Sequence, residues 1–203
     1  MSHESARKMW NSDAPNWVDH QHLGSIAPVI ESFICRHSAQ VLQVTPRNSR
    51  IVDLGTGANT KAYFPASAHP RIIGLDFSSE MLRLNPLPQK TVAEMSAPLP
   101  FARESFGLVT SFLAWRYLSS EEHAALIQEM YRVLLPYGTV LLIDLLKNNW
   151  EHQKSEFSPD WNAQHLRTAG FSVRTASTEN VRSPLGYTLR YTAELGVVVA
   201  RKA

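Results

Sequence analysis

A short apolar strand running into a two-glycine turn constrains this chain more than any other stretch: Ile51-Val52-Asp53-Leu54-Gly55-Thr56-Gly57-Ala58-Asn59-Thr60. Ile51 to Leu54 reads as a buried strand with one acid in it. Gly55 and Gly57 supply a turn in which the backbone can take positive φ and approach a ligand closely. Thr60 is placed to cap a helix that starts just after. Strand, glycine turn and helix N-terminus in that order form a cradle for polar or anionic groups. About twenty residues on, where a βαβ unit holds the two hydroxyls of a ribose, Arg71-Ile72-Ile73-Gly74-Leu75-Asp76 is a second apolar strand ending in an acid. A nucleoside-containing ligand lying across these two strand tips is the first expectation.

The rest of the chain sets the fold class. Further strands are expected at Lys90–Met95, Phe106–Leu113, Thr139–Leu146 and Phe171–Ala176, with helices over Leu23–Val44, from Ser119 through Leu134, and over Pro159–Ala169. Alternating strands and helices from residue 51 to 176 indicate a parallel sheet covered on both faces. Tyr187–Thr192 and Gly196–Arg201 are strand-like with no helix between them, so one of the two runs antiparallel. The expectation is an α/β, Rossmann-like, doubly wound sheet of seven mostly parallel strands, the last antiparallel, with helices on both faces. At 203 residues and 44% hydrophobic, the chain suits one compact domain. Residues 1–44 would form an N-terminal helical cap and 45–203 the ligand-binding part.

Composition excludes several classes. A formal net charge of +2 with scattered Lys and Arg gives no nucleic-acid footprint. The single Cys35 excludes an internal disulfide and any multi-cysteine metal site. Its place in an apolar helical pattern reads as a buried thiol. No metal is expected, because the histidines show no helical pair with an acid beside it. The polar N-terminus and the lack of a long apolar run speak against a signal peptide or a membrane span, leaving the cytoplasm as the default. Residues 1 to 22 hold Trp10, Trp17, His20 and His22. The two tryptophans either pin an arm to the domain or close a lid over a ligand.

With these stretches in view, the chain resembles a class I S-adenosylmethionine-dependent methyltransferase of the small-molecule type. Val52 to Gly57 is similar to that family's first cofactor motif, and Ile73 to Leu82 to its second-strand motif. Ala97 to Phe101 with Ser105 to Val109 resembles its loop and fourth strand. Glu129 to Gly138 resembles the helix and turn before strand five. Each piece alone is weak, and together they are in order at the right intervals.

The resemblance implies S-adenosyl-L-methionine as cofactor and assigns roles by position. Gly55, Thr56 and Gly57 would approach the methionine portion, and Asp53 would orient the turn and receive the ammonium. Asp76 would accept hydrogen bonds from both ribose hydroxyls. Phe77 and Met81 would pack on adenine, and Met95 and Ser96 would lie at its edge. Ser111 and Phe112 would border the transferred methyl. Asn59 stands where the family often has a third glycine, Met95 where it often has an aspartate, and Tyr137 where it usually has a glycine.

Methyl transfer from a sulfonium is a direct displacement, so the protein mainly aligns the acceptor. A base is needed only for a protonated acceptor. Candidates for that end are His20, Arg116 and Tyr117, with Asp144 and Lys147 after strand five; His123 reads as an exposed helix residue. The expected partner is a small-molecule methyl acceptor, with no nucleic acid or membrane, and exposed Tyr and Val near the C-terminus could pair in a homodimer. The alternative is a catalytically silent binding protein on the same fold. A nicotinamide dehydrogenase would carry a third glycine and continue βαβ to the end, and this chain does neither.

Overall fold

The computed structural model describes residues 3–18, 26–58, 60–148, 157–182 and 192–203. Its strands are β1 (Arg50–Leu54), β2 (Ile72–Asp76), β3 (Gln89–Val92), β4 (Phe106–Phe112), β5 (Leu134–Asn148), β6 (Phe171–Arg182) and β7 (Thr192–Lys202). Its helices are α1 (His3–Val18), α2 (Ala27–Val44), α3 (Ser79–Leu84), α4 (Ser120–Val133) and α5 (Pro159–Thr168). One sheet carries all seven strands in the order β3-β2-β1-β4-β5-β7-β6. Only β7 is antiparallel to its neighbours; the other six strands share one direction. The order reverses between β1 and β4, so the crevice at their C-terminal ends is where a ligand would bind in such a sheet.

Strand periodicity builds the two layers. Successive side chains point to opposite faces. Ile51, Leu108, Leu141 and Val197 pack with Ile30, Phe33 and Ile34 of α2. Their neighbours Val52, Val109, Leu142 and Val198 pack with Leu126, Ile127 and Met130 of α4 and Leu166 of α5. Burial on both faces explains the near-continuous apolar runs of the central strands.

Several boundaries differ from the sequence expectation. β3 stops at Val92 because its last partner, Asp76, ends β2. Ala93 to Met95 therefore leave the sheet at its tip. No α-helix follows the glycine turn: Pro65 and Pro70 break the segment, which forms 3-10 turns at Thr60–Tyr63 and Ala66–Arg71. Thr60 does not cap a helix. Its hydroxyl donates to the Thr56 carbonyl at 2.7 Å. β5 begins at Leu134, and its register with β4 shifts across Pro136 to Gly138. β6 runs on to Arg182, paired with β7 along its length. Its polar alternation, that of an edge strand with one solvated face, conceals this extent in the sequence. Thr192 opens β7, and Tyr187 to Tyr191 lie outside the described residues. Cys35 is partly exposed, not buried. Among the described residues no helix is long and apolar enough to cross a membrane.

His123 is the clearest correction. It is 2% exposed, lies flat on Trp115 with ring centroids 4.8 Å apart, and holds the Trp115 carbonyl oxygen 2.8 Å from Nε2. The turn after β4 folds back over the start of α4 and covers it. Ser119 and Glu122 set that start by a reciprocal capping box. His123→Ala removes a buried hydrogen bond and a ring contact. It is expected to lower the unfolding free energy by about 2 kcal/mol in a urea titration.

Candidate active site

The glycine turn is held by its neighbours before any ligand is considered. Gly55 and Thr56 both donate backbone N–H to the Leu75 carbonyl, at 2.8 and 3.0 Å. Gly55 (φ +70) and Gly57 (φ +53) take left-handed backbone. A Cβ on Gly55 would lie 2.4 Å from the Ala114 Cβ, so the turn packs against the β4 tip only because that position is glycine.

Two buried acids flank the turn. Asp76 accepts from Gly57 N at 2.8 Å on one oxygen and from Ser78 N at 2.8 Å on the other. Burial raises its pKa, while the amides of Ser78, Gly57 and Phe77 pull it down. Asp53, 1% exposed, accepts from Thr110 Oγ1 at 2.6 Å, with Thr60 Oγ1 3.2 Å from its other oxygen. Burial pushes its pKa up to about 6 against the lowering effect of the threonine hydroxyls. Asn85 donates to the Gly57 carbonyl and to Thr60 Oγ1, the latter at 3.2 Å, and so closes the loop from below.

Above the turn opens a pocket of about 640 Å³, counted with the open space at its mouth. Gly55, Thr56 and Gly57 form one wall, and Asp76, Phe77 and Met81 another. Met95 and Phe112 also line it, with Tyr63 and Ala114. The lining is mainly apolar, and among the described residues Asp76 is its one carboxylate. Leu113 follows β4 in a left-handed conformation (φ +58) and donates its N–H to Ile143 O at 2.9 Å. For a branched residue this is a costly backbone state, and it turns the chain sharply so that Ala114 meets Gly55.

The rim of the pocket is set by Asp144. It lies within β5, not on the loop after it, and is fully buried. It accepts from Arg116 N at 2.9 Å and Leu145 N at 2.7 Å, and faces Arg116 Nε at 3.9 Å. Burial raises its pKa, and the Arg116 guanidinium opposes that. Arg116 in turn donates to the Tyr117 hydroxyl at 2.9 Å and sits over its ring. Tyr117 lines the pocket and meets Trp10 of α1 edge-to-face at 5.3 Å.

Most of the expected site residues therefore converge on one cavity. Asp53 sits just beneath it. Among the other expected residues that the structure describes, Arg116, Asp144, Ser111 and Ser96 do not line it. Ser111 is buried, with its hydroxyl donating to the Leu54 carbonyl at 3.0 Å. Ser96 lies next to Met95 in the loop after β3, outside the lining. His20, His22 and Asn59 fall outside the described residues, as do the side chains of Trp17 and Lys147. Tyr63, Ala93, Leu113 and Ala114 line the pocket without having been singled out in the sequence. Leu113 and Ala114 carry a positional signal, since they directly follow the β4 tip. Tyr63 carries none, because it reaches the pocket from a turn that sequence reading took for a helix.

Comparison with known proteins places this geometry. Residues 52–142 match the methyltransferase domain family. The chain is 32% identical over 155 residues to the ubiquinone/menaquinone biosynthesis C-methyltransferase UbiE of Geotalea daltonii, covering 70% of this chain and 63% of that protein. It is 29% identical over 114 residues to an uncharacterised methyltransferase of Synechocystis, covering 54% of this chain and 53% of the relative. It thus spans less than two thirds of either curated relative. Among solved structures, an S-adenosylmethionine-dependent methyltransferase of Thermotoga maritima, described as a possible histamine N-methyltransferase, superposes with a TM-score of 0.63 at 16% identity. That match covers 96% of this chain and 100% of the other, and it shows the shared fold. Sequence match therefore relates residues 52–142 to the methyltransferase domain family, and the fold is that of solved S-adenosylmethionine-dependent methyltransferases.

The buried acid under the turn gives a pH test. The pKa of Asp53 is raised from 3.8 to about 6 on folding. Its favourable contribution is complete below the unfolded value and is lost as pH rises through the folded one. The ligand-free protein is expected to lose about 3 kcal/mol of stability from this group between those values. Asp53→Asn is expected to flatten that part of the profile. Denaturation at stepped pH, read as the difference between wild type and variant, checks it.

Proposed function

We propose that the protein transfers the methyl group of S-adenosylmethionine to a small-molecule acceptor by direct displacement. The observation that carries this reading is the Asp76 carboxylate, buried at the wall of an apolar pocket and bonded to the N–H of Gly57 across the two strand tips. The residues fit the cofactor: the backbone of the glycine turn on one wall, the Asp76 carboxylate on another, and apolar side chains between. When bound, S-adenosylmethionine supplies a methyl on a positively charged sulfur, which is already activated for displacement.

In this reading the chain's own groups divide the work. Asp76 accepts from the ribose hydroxyls. Phe77 and Met81 hold adenine by packing, and Met95 and Ser96 lie toward its edge. Gly55, Thr56 and Gly57 present backbone to the methionine portion, and Asp53 receives the ammonium, directly or through water. Phe112 shapes the methyl end, with Ser111 behind it. Arg116 and Tyr117 face the acceptor, and His20, outside the described residues, is the further candidate for contact with it. Orientation supplies most of the rate, and proton removal matters only for an acceptor that arrives protonated. Oxygen, nitrogen, sulfur and carbon acceptors all fit, and the relative named as a C-methyltransferase supports carbon as one case. A cytoplasmic location and a homodimer belong to the same reading.

Calorimetry with S-adenosylmethionine and S-adenosylhomocysteine tests the proposal. Binding is expected for both, and Asp76→Ala is expected to weaken it at least about a hundredfold, through loss of charge-assisted hydrogen bonds. No heat at millimolar ligand favours the catalytically silent alternative. Unchanged affinity in Asp76→Ala removes the basis of the assignment. With binding in hand, incubation with metabolite pools and a search for mass gains of one methyl identifies the acceptor.

A further inference from the structure

The N-terminal helix lies outside the region matched to the methyltransferase family, yet its ties reach three segments that form the pocket. Asn11 Oδ1 accepts from Ser78 Oγ at 2.7 Å and from Glu80 N at 3.4 Å, at the head of α3 just after Asp76. Arg7 pairs with Glu94, next to Met95. Ala14 packs on Ala58 and Met81. Trp10 lines the pocket itself and crosses its mouth to meet Tyr117, on the rim set by Asp144 and Arg116. The helix is lightly held: of its described side chains only Ala14 is buried, and the Arg7 and Glu94 side chains are 45% and 30% exposed. An element with so few buried contacts can open without the domain unfolding.

We infer that α1 is a strap over the cofactor, and that Trp10 retains it. With Trp10 on Tyr117, the helix spans from the head of α3, just after the strand-tip acid, to the acceptor rim, over the pocket that both rings line. Cofactor and product thioether exchange when the Trp10–Tyr117 contact opens and α1 lifts from α3. The Arg7–Glu94 pair acts as a latch. It sits in water, so salt weakens it. This inference rests on the cofactor reading above.

The test measures release, which requires no known acceptor. S-adenosylhomocysteine is bound to the full-length protein, and its dissociation rate is followed by stopped-flow displacement. Trp10→Ala is expected to raise the dissociation rate about tenfold or more, since affinity differences among variants of one site appear mainly in the off-rate. Arg7→Gln, an exposed substitution that leaves the core untouched, is expected to raise it about threefold and to remove its dependence on salt. Hydrogen exchange of the α1 amides is expected to slow when S-adenosylhomocysteine is added. Wild-type binding with a dissociation rate within about twofold of wild type in both variants overturns the strap. So does α1 exchange unchanged by ligand. A wild-type protein that takes up no S-adenosylhomocysteine overturns the cofactor reading itself, and the strap with it.

Discussion

One carboxylate holds this site together. Asp76 ends β2 and reaches across to the amide of Gly57 while its other oxygen takes the amide of Ser78. The turn after β1 and the start of α3 are thereby fixed to one another through a single buried group. Taking that charge out of water is unfavourable, as the upward shift of its pKa records. Backbone N–H groups pointing at it offset part of that cost, and they arrange the site before a ligand arrives. The glycine-turn side of the pocket is positioned relative to this group.

The opposite side has its own buried acid. Asp144 does for the β4-tip turn what Asp76 does for the glycine turn: it gathers backbone amides and a charged neighbour and sets where the following side chains project. Arg116 and Tyr117 occupy the rim as a consequence. Between the two acids lies the contact of Gly55 with Ala114, close enough to require a missing side chain. The pocket is therefore a gap between two independently braced strand-tip turns. Trp10 brings α1 to that boundary as well.

The two acids also explain how far a sequence reading could go. Asp76 was legible, because an apolar run ending in an acid about twenty residues after a glycine turn carries its meaning locally. Asp144 was legible only as an acid near the end of an apolar strand. Its partners come from a turn twenty-eight positions away in the chain, and no spacing rule connects them. His123 misled for the same reason. On α4 its neighbours in sequence look like a solvated helix start, yet the turn before the helix folds back to cover it.

Local chemistry in the sequence determined the sheet class, the glycine turn and the acid at the second strand tip, because strand periodicity and turn chemistry act over a few residues. The tertiary structure alone decided that Ser111 turns its hydroxyl to β1, that Tyr63 and Ala114 join the pocket, and that Trp10 lies across its mouth. Those outcomes depend on which segments meet after the sheet is assembled, and packing between residues far apart in the chain leaves no periodic trace in the order of the residues.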